Sequence, residues 1–197
     1  MHLHFATSVT ALGGSNRQLS IDNGIGRLQM VTVLPASSVS VVNAETANGN
    51  AGPGVSNWHL SVAYSDPSPM YQKFLTVIRA GQSTAAYSFP NVAAVGGTNA
   101  SGSYISGLLT AESATPIAVV FAEGGAPRVI PASVQYQYPA GAAVQNYVAK
   151  LKANAFYAVT SSNAGGSFSV TVTESAGGTK TDASGVLAFS CSETSCP

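Results

Sequence analysis

The histidines offer the first candidate chemistry. His2 and His4 lie two residues apart in a segment that alternates polar and apolar residues, and residues two apart on a strand share one face. Two imidazoles on one face bind zinc or another transition metal when further ligands complete the site. The third histidine, His59, lies beside Trp58 on a distant predicted strand. We therefore interpret His2 and His4 as partly exposed strand residues and predict no metal, keeping both as candidate ligands if a third ligand is supplied.

Three tyrosines in the second half of the chain form the other candidate site. Tyr136 and Tyr138 alternate along a predicted strand and share a face, and Tyr147 follows on the next strand. Such a strip can stack on pyranose rings, because an aromatic face is apolar and the tyrosine hydroxyl adds a hydrogen-bond donor. The alternative is cross-strand packing within a sheet. Trp58 has the same two interpretations, a ligand platform or a core residue.

The other polar residues form no catalytic constellation. The eight acidic residues are scattered singly, and no two are spaced like the carboxylate pair of a glycosidase. No serine lies in a Gly-x-Ser-x-Gly elbow. The pairs Gly96-Gly97 and Gly124-Gly125 lack the lysine and helix start of a phosphate loop, and we interpret them as hairpin turns. We predict no catalytic residue and no cofactor.

The two cysteines, Cys191 and Cys196, are five positions apart. We predict a disulfide between them that pins the C-terminal segment, with free thiols as the alternative. A metal site is a weaker interpretation, because a tetrahedral site needs two more ligands and the chain has no other cysteine.

The scarcity of charge excludes several classes of partner. Charged residues make up 8% of the chain and the net charge is zero, whereas an ordinary soluble domain has about 25% charged residues. No basic cluster is present to displace counterions from nucleic acid. No apolar run reaches the roughly 18 residues of a membrane span. We predict no nucleic-acid partner and no membrane span.

The elements that must position these residues are strands. Short alternating apolar runs, separated by turn residues at intervals of roughly 8 to 15 positions, predict about thirteen strands. The cluster Asp22-Asn23-Gly24 predicts a turn with positive φ. Only residues 142–155 approach a helical pattern, and strand-turn-strand fits them better. We predict an antiparallel β-sandwich that forms one domain over residues 1–197, with an allowed sub-boundary near 81–102.

Packing motifs in the first 80 residues resemble those of a known family. In order they are Gly26-Arg27-Leu28, Thr32-Val33-Leu34-Pro35, a valine-rich strand, a glycine-rich loop, Trp58-His59-Leu60-Ser61-Val62 and Phe74-Leu75-Thr76-Val77-Ile78. This order resembles the β-sandwich that follows the helical toroid in heparinase II/III-like polysaccharide lyases. Leu3-His4-Phe5 resembles the strand before that block, and residues 181–189 are similar to the closing strand of many bacterial sandwich domains.

The resemblance implies a module without catalytic residues of its own. The helical toroid, which carries the family's catalytic tyrosine, has no counterpart in this sequence. The implied function is a non-catalytic β-sandwich module of an exported bacterial protein, extracellular or periplasmic, that braces a catalytic domain or assists polysaccharide binding. If the parent protein is an enzyme, it is a polysaccharide lyase. Since the first residues lack a signal-peptide pattern, we expect the chain to be a portion of a larger protein.

Two other functions stay open. The first is an extracellular structural protein that assembles with its own copies as a filament or surface layer, because low charge reduces repulsion between like surfaces and strand edges pair readily. The second is a small-molecule or metal-binding β-barrel, which would depend on His2 and His4.

Overall fold

The structure, a computed structural model, describes residues 2–5, 9–12, 17–34, 38–45, 57–64, 74–83, 91–99, 106–111, 114–122 and 130–197. For strands 2–5, 9–12, 38–45 and 57–64, and for residue 99, it describes the backbone alone. The described residues form sixteen strands and no helix, so the all-β prediction is confirmed. Backbone contacts divide the chain into two compact units, Met1–Pro90 and Asn91–Pro197. The single sandwich domain stays a prediction.

The first unit contains two antiparallel sheets. Its strands are β1 (His2–Phe5), β2 (Val9–Leu12), β3 (Gln18–Asp22), β4 (Gly26–Leu34), β5 (Ser38–Glu45), β6 (Asn57–Tyr64) and β7 (Leu75–Gln82). One sheet has the order β1-β6-β5, and the other has the order β2-β3-β4-β7. The pairing of β1 with β6 joins strands that are far apart in the sequence.

The turn between β3 and β4 follows the prediction. Gly24 has φ +82°, a conformation that glycine adopts without steric cost. The Asp22 carboxylate accepts a hydrogen bond of 2.9 Å from the Gly24 N–H, and the Asn23 side-chain oxygen accepts one of 2.7 Å from the Gly26 N–H. Asp22 also forms an ion pair of 2.8 Å with Arg27.

The second unit is one nine-stranded sheet. Its strands are β8 (Val92–Asn99), β9 (Ser106–Thr110), β10 (Ile117–Phe121), β11 (Ser133–Pro139), β12 (Val144–Ala149), β13 (Phe156–Ala164), β14 (Ser167–Glu174), β15 (Thr179–Lys180) and β16 (Leu187–Cys191). The order is β15-β13-β14-β11-β8-β9-β10-β12-β16. The end strands β15 and β16 come into contact but do not pair in a ladder, so the sheet curls almost into a ring.

One pair in this sheet departs from the antiparallel prediction. Strands β10 and β12 run parallel. The strand between them in sequence, β11, pairs with β8 and β14 instead, so the chain returns to β12 in the direction of β10. Residues 144–149 form β12, residues 150–155 form a bend and a turn, and β13 begins at Phe156, which confirms the strand-turn-strand interpretation over a helix.

The core of the second unit lies inside the curled sheet. Alternate residues of its strands are buried, as expected for a sheet with one covered face. The largest fully buried side chains of the unit are Tyr136, Tyr157, Phe168, Leu187, Val120, Val134, Val144, Val148 and Val170. Strands β11 and β12 are four places apart in the sheet, and the core lies between them.

Three described strands were missing from the sequence prediction, namely β2, β8 and β15. Strand β15 has two residues, and β8 has the sequence VAAVGGTN, in which small residues hide the alternation. The interpretation of Gly96-Gly97 as a hairpin turn is wrong, because both residues lie within β8 and pair with β11. Gly124 and Gly125 lie outside the described residues.

Candidate functional site

Four neighbouring strands of the second unit place hydroxyl and amide side chains in register. One row across β13, β14, β11 and β8 is Thr160, Thr171, Gln135 and Thr98. The next row is Ser162, Ser169, Gln137 and Gly96. Since paired residues share a face, these side chains form one outer surface. We call it the hydroxyl–amide face, defined by Thr98, Gln135, Gln137, Thr160, Ser162, Ser169 and Thr171.

The hydroxyl–amide face is accessible and carries no formal charge. Gln135, Gln137, Thr160 and Ser162 are exposed, and its other members are half-buried. The ion pair between Lys152 and Glu174 is 3.0 Å long. Glu174 is the last residue of β14, and alternation along the strand places it off this face. Neighbouring strands are about 4.8 Å apart, and alternate residues along one strand are roughly 6.7 Å apart. The face is therefore a regular array of neutral donors and acceptors.

A pocket of about 440 Å³ opens over the pair β8 and β11 within this face. Its lining residues are Gly96, Gly97, Thr98, Gln135, Tyr136 and Gln137. A Cβ at Gly96 would meet no atom within 4 Å, whereas a Cβ at Gly97 would lie 2.1 Å from the Gln135 carbonyl oxygen and 2.8 Å from Tyr136 Cα. Gly97 thus allows the close approach of β8 to β11, and Gly96 leaves the space open. This arrangement can hydrogen-bond a neutral ligand but lacks an acid–base pair.

The tyrosine strip, one of the two interpretations of the sequence, does not form. Tyr136 and Tyr138 are 0% and 4% exposed, and Tyr147, on β12, is 38% exposed. The Tyr136 hydroxyl donates a hydrogen bond of 2.9 Å to Asn146, and the Tyr138 ring stacks on Phe168 with centroids 5.5 Å apart. Burial raises the pKa of both Tyr136 and Tyr138. Tyr136 and Tyr138 therefore pack within the sheet, as the alternative interpretation of the sequence predicts.

The sequence interpretation did not identify the outward residues of β11 as a candidate site. The alternation that places Tyr136 and Tyr138 on one face places Gln135 and Gln137 on the other. The segment SVQYQYP contains both sets. Which face is covered depends on packing, so the pattern alone left the choice open.

Cys191 and Cys196 are joined by a disulfide, with Cα atoms 4.2 Å apart. The backbone N–H of Cys196 donates a hydrogen bond of 2.9 Å to the Ser161 hydroxyl on β13. The side-chain amide of Asn146 contacts the Cys191 sulfur at 3.4 Å. The disulfide therefore ties the segment after β16 to the rest of the second unit.

The first unit places the histidines and Trp58 by backbone register. His4 pairs with His59, and Trp58 pairs with Phe5 across β1 and β6. The premise that His59 is distant from the His2–His4 pair is therefore wrong, because β6 is the neighbour of β1. Among the residues whose side chains are described, no group of three His, Cys, Asp or Glu residues could hold a metal ion.

No protein-family model matches the chain, and no curated protein matches it significantly. The resemblance to heparinase II/III-like polysaccharide lyases stays a prediction. The described residues contain no helix of the length and apolarity needed to cross a membrane.

Proposed function

We propose that the chain is a non-catalytic β-sandwich module of an exported bacterial protein related to the heparinase II/III-like polysaccharide lyases. Its role is to assist polysaccharide binding, and the partner domain it braces supplies any chemistry. The observation that carries the proposal is the hydroxyl–amide face with its open pocket over Gly96 and Gly97.

The chemistry of the face suits a sugar polymer. Sugar hydroxyls both donate and accept hydrogen bonds, as do the side chains of Ser, Thr and Gln. The regular spacing of rows and strands allows successive residues of an extended chain to bind in the same way. Because the face has no arginine or lysine, the ligand is recognised through hydroxyl groups and not through carboxylate or sulfate. We therefore expect neutral stretches of polysaccharide to bind in preference to strongly acidic ones.

Binding of polysaccharides to the purified chain tests this function. Affinity electrophoresis and calorimetry with a panel of neutral and acidic polysaccharides should identify at least one neutral ligand. In that assay the double variant Gln135→Ala, Gln137→Ala should bind roughly ten- to hundredfold more weakly, because two hydrogen bonds contribute about 1–3 kcal/mol.

The matched control is Gln145→Ala on β12, which lies outside the face and should bind as the wild type does. A double variant that binds as tightly as the wild type would refute the proposed site. Formation of unsaturated sugar ends by the isolated chain would refute the non-catalytic assignment.

A second function, self-assembly into a structural polymer, is supported by strand β7. Within the described part of its sheet, β7 is an edge strand that pairs with β4. Ile78 on this strand is 51% exposed and the adjacent Phe74 is 40% exposed. An edge with exposed apolar residues promotes strand pairing between chains. Sedimentation of the wild type and of Ile78→Lys separates the two functions, since assembly through β7 predicts polymers that the lysine variant does not form.

A further inference from the structure

Strands β1 and β6 bring all three histidines of the chain to adjacent register positions. His4 lies directly opposite His59, and His2 lies opposite Ser61. Residues directly opposite in an antiparallel pair share a face, and so do residues two apart on one strand. His2, His4 and His59 are therefore placed on one face, which we call the histidine face.

The two faces of this sheet differ in composition next to the histidines. The register across β1, β6 and β5 adds to the histidine face Ser61, Asn57, Asn43, Glu45 and Val41. The central part of the opposite face is apolar, and its residues there are Leu3, Phe5, Val42, Ala44, Trp58 and Leu60. Antiparallel sheets commonly pack an apolar face in a core and leave the polar face to solvent. The register therefore places the three histidines among mostly polar positions, on the face opposite the apolar set.

The register spacing suits coordination of one ion. Opposite residues in an antiparallel pair have Cα atoms about 4.5–5.5 Å apart, and residues two apart on a strand are separated by roughly 6.7 Å. The diagonal separation, here between His2 and His59, is about 7–8 Å. Imidazole nitrogens bind zinc at about 2.0–2.1 Å, in a tetrahedron whose three protein ligands leave one position open. Imidazoles on positions this close can converge on one ion.

We propose that His2, His4 and His59 bind one divalent late transition-metal ion on the histidine face. Imidazole ligands favour zinc, copper and nickel over magnesium or calcium. Three histidine ligands leave the fourth position of the ion to water or to another ligand. The proposal is independent of polysaccharide binding, because it concerns the first unit and the hydroxyl–amide face belongs to the second.

Zinc titration of the metal-free full chain, by calorimetry or with a competing chromophoric chelator, tests the site. The wild type should bind one zinc ion per chain, reversibly with EDTA. His59→Asn should weaken zinc binding more than about 100-fold, since loss of an outer-sphere partner alone costs about 10–100-fold. His4→Asn should have an equal effect, and the matched control Ser61→Ala, on the same face, should bind as the wild type does.

A second measurement needs no variant and so does not depend on how a variant folds. Zinc should protect His2, His4 and His59 of the wild type from carbethoxylation by diethyl pyrocarbonate, read residue by residue by mass spectrometry. Absence of stoichiometric zinc binding overturns the proposal. So does zinc binding that is unchanged in His59→Asn, or protection that leaves any of the three histidines reactive.

Discussion

At the scale of single residues, neighbouring positions in the sequence have very different environments in the structure. Gly96 and Gly97 are adjacent in β8, yet only at Gly97 would an added Cβ meet the backbone of β11. Gln135 and Tyr136 are adjacent in β11, yet Gln135 is exposed and Tyr136 is fully buried. The effect of a substitution in this region on stability therefore depends on which face of the strand the residue occupies.

Gly97→Ala tests this difference. The added Cβ would lie 2.1 Å from the Gln135 carbonyl oxygen, and backbone atoms must shift to relieve that contact. We expect the free energy of unfolding to fall by about 1–3 kcal/mol, as for overpacked interiors. Urea unfolding followed by circular dichroism measures it.

Gly96→Ala is the matched control, since its Cβ would enter open space. This variant should be as stable as the wild type or more stable by about 0.5–1 kcal/mol, because alanine loses less backbone entropy than glycine. Equal destabilisation by the two substitutions would contradict the close approach at Gly97.

At the scale of elements, local patterns predicted strands well and their partners poorly. The alternation of residues 26–34 and the stop at Pro35 predict β4 with the bounds that the structure has. The turn at Asp22-Asn23-Gly24 follows from side-chain hydrogen bonds within a few residues. By contrast, the pairing of β1 with β6 places His4 opposite His59. No local sequence signal specifies a pairing partner so far along the chain. The hydroxyl–amide face was missed for the same reason, because its rows cross four strands.

The β3–β4 hairpin gives a prediction for acid conditions. Hydrogen bonds from the Ser83 hydroxyl and the Gly24 N–H, together with Arg27, lower the pKa of Asp22 to about 2. An aspartate in an unfolded chain has a pKa of about 3.9. A lowered pKa stabilises the folded state above the unfolded value, and that stabilisation is lost as pH falls from about 4 through 2.

Thermal unfolding of wild type and Asp22→Asn between pH 2 and 6 measures this contribution. The wild type should be the more stable protein at pH 6, and the difference should shrink as the pH falls towards 2. A difference that stays constant across this range would show that the charge of Asp22 does not stabilise the hairpin. Titration of the Asp22 carboxyl carbon by NMR reports its pKa directly.

At the scale of the whole molecule, the second unit has a core of its own. Every member of its main buried cluster lies between Val95 and Cys191. Its end strands come into contact, although they do not pair in a ladder. The scarcity of charge, 8% of residues, is consistent with the proposed recognition through neutral groups.

The independence of this core predicts that residues 91–197 fold alone. A segment of about 100 residues is large enough for a domain with one core. Expressed with the Cys191–Cys196 disulfide, it should unfold in a single cooperative urea transition and retain the near-ultraviolet signal of Tyr136 and Tyr157. A broad, non-cooperative transition would show that the first unit is needed for its stability.

The alternation along β11 and β14 also has an evolutionary consequence. Inward residues such as Tyr136 and Val170 maintain stability, while outward residues such as Gln135 and Thr171 face the surface. Substitutions at outward positions leave the buried cluster intact, and surface changes usually alter stability by less than about 0.5 kcal/mol. Under the proposed function, descendants of this chain can therefore change ligand preference through substitutions at a few outward positions, with little selection against the intermediates.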